Sequence, residues 1–203
     1  MPRPDLLPQR LPRYLSQEEV RSFFAVIVDP RDRALFALIY LYGLRVGEVA
    51  LLTRGDVDLD RSRIVVKRLK GGAWAERPLF SWARELLATH VAALGEPGPD
   101  APLFPGHRGA LRKRQIQSLF TRYREAAGIS RTATAHSLRH SIATHLLDAG
   151  VSLEFVQDHL GHVSIRSTSI YARITDQHRT ALFHRLESSP WIVRPFPPEP
   201  SKP

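Results

Sequence analysis

Hydrophobic positions follow helical spacing early in the chain, and the richest stretch, residues 31–42, is nearly all apolar on one side. A helix with so wide an apolar face belongs at the centre of a core. Pro30 suits its first turn, where a backbone N–H has no partner to lose. Gly43 is placed to stop this helix in a left-handed conformation, and Arg45 opens a short helix after it. Upstream, Ser16 and Glu19 have the form of a capping box and predict a helix through about Val28. From Asp58 the period changes. Residues 62–69 and 74–80 are short β-type runs, separated by Lys70-Gly71-Gly72-Ala73, a hairpin signal. Ser81 is expected to cap a helix through Leu94, and residues 95–109, with four prolines, read as one long loop. Helical patterns resume at 112–126, 136–149 (stopped by Gly150), 152–160, 165–171 and 176–187. No repeat of fixed period is present. The expected fold class is mainly α with a small antiparallel β-sheet, an α+β unit spanning 16–187. A proline-rich lead (1–15) precedes it, and a tail (188–203) with six prolines in its last fourteen residues follows.

Composition adds a partner class. The chain has 203 residues, long enough for one substantial core, and its 43% apolar and 24% charged fractions are ordinary for a globular protein. Its formal charge of +9 is not, and of 29 basic residues only four (67, 70, 113 and 202) are lysines. Arginine's planar fork fits phosphate better than an ammonium does, so the excess favours a polyanionic partner. The absence of cysteine excludes disulfides, thiolate catalysis and cysteine-ligated zinc. No secretory signal opens the chain, and the longest apolar run, Ala34 to Tyr42, is too short to cross a bilayer. The expectation is a soluble, cytoplasmic protein with no membrane partner.

The candidate chemistry lies towards the C-terminus: His136 and Arg139, then His162 after Leu160-Gly161, then Tyr171. A metal-free attack on a phosphodiester needs a hydroxyl nucleophile, a proton for the leaving oxygen, and fixed cations to meet charge on the non-bridging oxygens. Tyrosine, with an ordinary pKa of about 10, needs neighbouring positive charge or a base to attack near neutrality. Lysine can serve as the acid, whereas arginine holds its proton too tightly. Lys70 is therefore notable at a hairpin tip in an arginine-rich chain, with Lys67 as the competitor if the strand register is shifted. His136 and Arg139, three apart, share the start of one helix. Taken singly, each has an ordinary alternative: a surface pair for His136 and Arg139, a helix-capping histidine for His162, half-buried packing for Tyr171 and a solvated turn for Lys70.

In combination these residues resemble a known family. The stretch from Thr134 through His136 and Arg139 to Leu147, followed by Leu160-Gly161-His162 and Ile170-Tyr171, is similar to the catalytic region of the tyrosine recombinases. These form the phage-integrase family, and the likeness is to its Xer-type branch. Tyr42-Gly43-Leu44-Arg45-Val46-Gly47-Glu48 resembles the family's first arginine box, and Lys70 matches its catalytic lysine. The resemblance covers roughly residues 10–187 and implies the tyrosine-recombinase catalytic-domain fold. It also implies roles. Tyr171 forms a covalent 3′-phosphotyrosyl link, Arg45 and Arg139 bind non-bridging oxygens, and Lys70 protonates the leaving 5′ oxygen. His136 assists proton transfer, His162 hydrogen-bonds the phosphate and Glu48 supports the site. No metal, ATP, other cofactor or small-molecule substrate is implied. The helix beginning at Arg112 would lie against the major groove, with Arg114 on a base edge and Lys113 on a phosphate; a solvated basic helix start is the alternative.

The implied partner is double-stranded DNA, with a homo-oligomer, a tetramer, assembled on it. The 176–187 helix and tail would either dock on a neighbouring protomer or fold back on their own domain, as in a monomer. Most family members carry a preceding helical domain, whereas fewer than sixteen residues precede the first capped helix here. The expectation is an isolated catalytic domain or a single-domain recombinase, binding DNA weakly and with steep salt dependence. Three other readings stand beside this one. A type IB topoisomerase uses a similar residue set, and a DNA-binding module could have lost catalysis. A metal site is suggested by His136 and His140, one helical turn apart, although Arg139 would then sit beside the cation.

Overall fold

A computed structural model describes residues 13–69, 74–95 and 98–161. The helices expected at 165–171 and 176–187, the tail and most of the lead lie outside the described residues.

Helix α1, Gln17–Ala25, begins as the capping box requires: Ser16 Oγ accepts from the Glu19 amide at 3.1 Å, and Glu19 Oε2 accepts from the Ser16 amide at 2.8 Å. It ends at Ala25, three residues before the expected Val28, because Val26 caps it. Helix α2, Pro30–Leu41, is buried almost all round and packs against the short α3, Val46–Val49, and against α4, Ser81–Leu94, and α6, Ala135–Asp148. Gly43 ends it at φ +55°, the left-handed conformation expected. Phe23, Phe36, Phe120 and Tyr123 interlock edge-to-face and tilted, with centroids 5.0–6.4 Å apart, joining α1 and α2 to α5, Lys113–Ala126. Truncating Phe36 in this cluster to alanine would cost about 3–5 kcal/mol.

Strands β1 (Val57–Asp58), β2 (Arg63–Lys67) and β3 (Trp74–Pro78) form an antiparallel sheet in that order. The β2–β3 register pairs Lys67 with Trp74 and Val65 with Glu76. Residues Ile64 and Val66 of β2 are buried, so the even positions face the core.

Two expectations need correction. Helix α4, Ser81–Leu94, has Phe80 rather than Ser81 at its N-cap, and Ser81 is its first helical residue. The loop expected over 95–109 is partly ordered: Thr53 bridges to Pro102, and β4 (Pro105–Gly106) pairs with β5 (Gly109–Ala110). Two-residue strands carry no readable period, so the proline content dominated the sequence signal.

Helix α6, Ala135–Asp148, and α7, Leu153–Leu160, pack through a second small cluster of Ile142, Ala143, Leu147, Val156 and Leu160. That cluster fixes the end of α7 against the end of α2, where the candidate residues meet. Among the described residues, no helix is long and apolar enough to cross a membrane.

Candidate active site

The site is built around a buried carboxylate. Glu48 is 1% exposed and collects four donors. Its Oε2 accepts from the Arg45 amide at 2.8 Å and from Arg68 Nη1 at 3.2 Å. Its Oε1 accepts from Arg45 Nη1 at 2.7 Å and from the Leu69 amide at 3.1 Å. Burial alone would raise the carboxyl pKa. The hydrogen bonds from the Arg45 amide and guanidinium, with the charges of Arg68 and Arg45, outweigh it and leave the pKa below its ordinary value. Glu48 is thus an anion that joins the arginine-box turn to the end of β2. Arg45 keeps 30% of its side chain exposed beside it.

Two guanidiniums close the other side. Arg139, 1% exposed on α6, donates through Nη1 to the Gly43 carbonyl and through Nη2 to the Leu160 carbonyl at 2.8 Å. Arg68, also buried, donates through Nη2 to the Tyr42 carbonyl at 2.9 Å and to the His159 carbonyl. Both arginines therefore grip the C-terminal ends of α2 and α7, whose carbonyls lack helical partners. Glycine is favoured at position 43 on two counts. A methyl group there would lie 2.3 Å from Leu160 Cδ2, and the left-handed φ penalises other residues.

His136 stands at the second position of α6, its ring edge-on to His140 with centroids 4.5 Å apart. Desolvation lowers its pKa, the nearby charges of Arg139 and Arg45 lower it further, and Glu48 opposes them. A neutral imidazole can accept a proton near pH 7. The charges of Arg139, Arg45 and Glu48 thus all reach His136. Among the described residues, no group of three or more His, Asp or Glu side chains is placed to hold a metal ion.

Of the two candidate lysines, Lys67 lies among the described residues. Lys67, on the odd face of β2, pairs with Asp56 Oδ1 at 2.8 Å and lies 5.0 Å from the Trp74 ring centroid. It is committed away from Arg68 and Glu48. Lys70, His162 and Tyr171 lie outside the described residues, although Leu69 and Gly161, their sequence neighbours, flank Glu48 and Arg68.

Lys113, the first residue of α5, crosses the arginine-box turn: a methyl group on Gly47 would lie 2.6 Å from its Cε and 3.1 Å from its Nζ. Arg114 is exposed beside it and lines an open hollow of about 1000 Å³ with Arg31, Arg108, Arg112 and Arg122. Buried Asp32 holds two of these, bonding Arg31 Nη2 at 2.7 Å and Arg122 Nη2 at 3.5 Å.

Arg68 and His159 had not been singled out from the sequence. For Arg68 the signal was strand parity, since 64, 66 and 68 share one face. His159 Nε2 bonds the Leu41 carbonyl at 2.7 Å and its ring stacks on Tyr42, contacts between residues more than a hundred apart in the chain.

The phage integrase family model matches residues 13–178. Tyrosine recombinase XerA of Thermococcus kodakarensis is 35% identical over 180 residues, covering 87% of this chain and 63% of its own. Tyrosine recombinase XerC of Xylella fastidiosa is 35% identical over 180 residues, covering 86% and 60%. Among solved structures, XerA recombinase superposes with a TM-score of 0.75 at 29% identity over 88% of this chain and 65% of that one. XerH site-specific recombinase, bound to palindromic difH substrate in a post-cleavage complex, gives 0.73 at 26% identity, covering 89% and 54%. The chain thus spans less than two thirds of the length of these relatives.

Proposed function

The chain belongs to the phage integrase family, and we propose that it cleaves and rejoins DNA at specific sites through a covalent 3′-phosphotyrosyl intermediate at Tyr171. The observation that carries this reading is that Arg139, from a segment nearly a hundred residues away, bonds the Gly43 carbonyl beside the Arg45–Glu48 pair, with His136 on the same helix as Arg139 and within reach of their charges.

In the proposed reaction the Tyr171 phenol oxygen bonds to phosphorus as the bond to the 5′ oxygen breaks. The phenolic proton passes to His136, held neutral by its surroundings. Lys70 gives a proton to the leaving 5′ oxygen. Arg45, braced by Glu48, meets one non-bridging oxygen. Arg139 meets the other by exchanging a backbone carbonyl partner for it, and His162 adds a hydrogen bond. A 5′-hydroxyl of another strand then attacks the phosphotyrosine and the proton transfers reverse. The phosphodiester energy stays in the covalent link, so these steps draw on neither ATP nor a metal.

Double-stranded DNA is the proposed partner. Arg114 would read a base edge, and Lys113, held at the arginine-box turn, would contact a phosphate close to the cleavage point. A tetramer on DNA is proposed because strands must be exchanged between sites, and the cytoplasm is the proposed compartment.

The test uses a labelled pool of nicked duplexes with randomised arms, incubated with the chain in EDTA and resolved under denaturing conditions. The expected result is a protein–DNA adduct on the 3′ phosphate side. Failure of every pool member to form one would overturn the reading.

A further inference from the structure

We infer that Arg68 is a positioning residue that sets the spacing between three parts of the cleavage site: the arginine-box turn, the strand end leading to Lys70, and the turn leading to His162. This rests on the recombinase reading of the same site.

Arg68 occupies an inward position of the β2 run, after Ile64 and Val66, where an aliphatic side chain would be ordinary. Its side chain is 5% exposed, so it does not face DNA. Removing a guanidinium from water is costly, and a buried ion pair gives little net stability over apolar residues of the same volume. Its geometry suggests what it does instead. One Nη donates to Glu48 Oε2 at 3.2 Å and to the Gly43 carbonyl at 3.4 Å. The other donates to the Tyr42 carbonyl at 2.9 Å and to the His159 carbonyl. Four acceptors on two distant segments are matched by one rigid fork, which an ammonium could not span.

The stem is used as well. Gly161, in the left-handed conformation at φ +64°, closes over it so tightly that a methyl group would lie 2.8–2.9 Å from Arg68 Nε, Cδ and Cγ. The next residue in sequence is His162. Two residues beyond Arg68 is Lys70, and Leu69 between them is bonded to Glu48 at 3.1 Å. A shift of Arg68 therefore displaces the approaches to both the acid and the histidine, while Arg45 stays braced by Glu48 on its own helix turn.

The experiment measures single-turnover cleavage at saturating protein, using a nicked duplex recovered from the randomised pool. Arg68→Met is expected to bind that duplex as the unsubstituted chain does and to cleave about 100-fold more slowly, the effect of roughly 1 Å of misplacement. Arg68→Lys, retaining charge but one donor atom, is expected to fall between them. Adding His162→Ala should slow Arg68→Met much less than it slows the unsubstituted chain, because the two act through one position. Should Arg68→Met fail to fold, the same cycle is run on Arg68→Lys. Cleavage at the unsubstituted rate, or fully additive losses with His162→Ala, would overturn the inference. Absence of any adduct with the unsubstituted chain would instead overturn the recombinase reading, and the inference with it.

Discussion

Glu48 and Arg45 are joined twice within one turn of helix: Arg45 Nη1 lies 2.7 Å from Oε1 and the Arg45 amide lies 2.8 Å from Oε2. The arginine is thereby fixed at both its base and its head by a single buried anion. Glu48→Gln keeps the shape but replaces one acceptor oxygen with an amide that faces donors. It is expected to cost about 3 kcal/mol in chemical denaturation, as for a broken buried pair. Cleavage should slow more than DNA binding weakens. A variant as stable as the parent would show that Glu48 is not the organising charge.

Gly43→Ala combines a left-handed φ of +55° with a 2.3 Å approach to Leu160 Cδ2. A loss of roughly 2–4 kcal/mol is expected, from backbone strain and overpacking together. Gly128→Ala, at φ +67° with nothing within 4 Å of an added methyl group, bears the conformational penalty alone and should cost about 1 kcal/mol. Thermal melts of the two variants compare them directly, and equal losses would contradict the contact with Leu160.

The lysine assignment is testable by substitution. Lys67 is paired with Asp56 and sits by Trp74, so Lys67→Met should cost about 1 kcal/mol of stability and leave the cleavage rate nearly unchanged. Lys70→Met should slow cleavage by about 10²–10⁴-fold, the usual range for a lost general acid. The reverse pattern would assign the acid to Lys67.

Burial holds His90, His145 and His159 below the ordinary histidine value of 6.5, as it does His136. The folded chain keeps these rings neutral while the unfolded chain takes up protons first. Stability is then full above about pH 6.5 and is lost as pH falls from there through the depressed folded values. The Glu48 contribution has its window lower, below its ordinary 4.5. Melting temperature should be flat from pH 8 to 7 and decline towards pH 5. A flat profile to pH 5 would contradict the burial of these imidazoles.

Local signals in the sequence were reliable where the physics is local. The Ser16–Glu19 box, Pro30 and Gly43 each act within a turn, and the structure places them as read. Ser81 failed as a cap because a suitable side chain does not fix its own backbone angle, and Phe80 takes the extended conformation there. The expectation that Arg45, Glu48, His136 and Arg139 belong together came from the family resemblance of two separate motifs, not from local spacing. Arg68 was not legible, because its acceptors at Gly43 and His159 lie 25 and 91 residues away. Parity alone marks it as inward, and an arginine facing a core has meaning only once its partners are known. Asp32 escaped notice for the same reason. It is wholly buried beneath arginines, and Tyr123 donates to it across 91 residues at 2.8 Å.

The most direct measurement is to digest the protein–DNA adduct and identify the DNA-linked peptide by mass spectrometry. The expected result is a nucleotide joined through a 3′ phosphate to the peptide containing Tyr171, and no adduct from Tyr171→Phe. A link to another residue, or an adduct that persists in Tyr171→Phe, would contradict the proposed nucleophile.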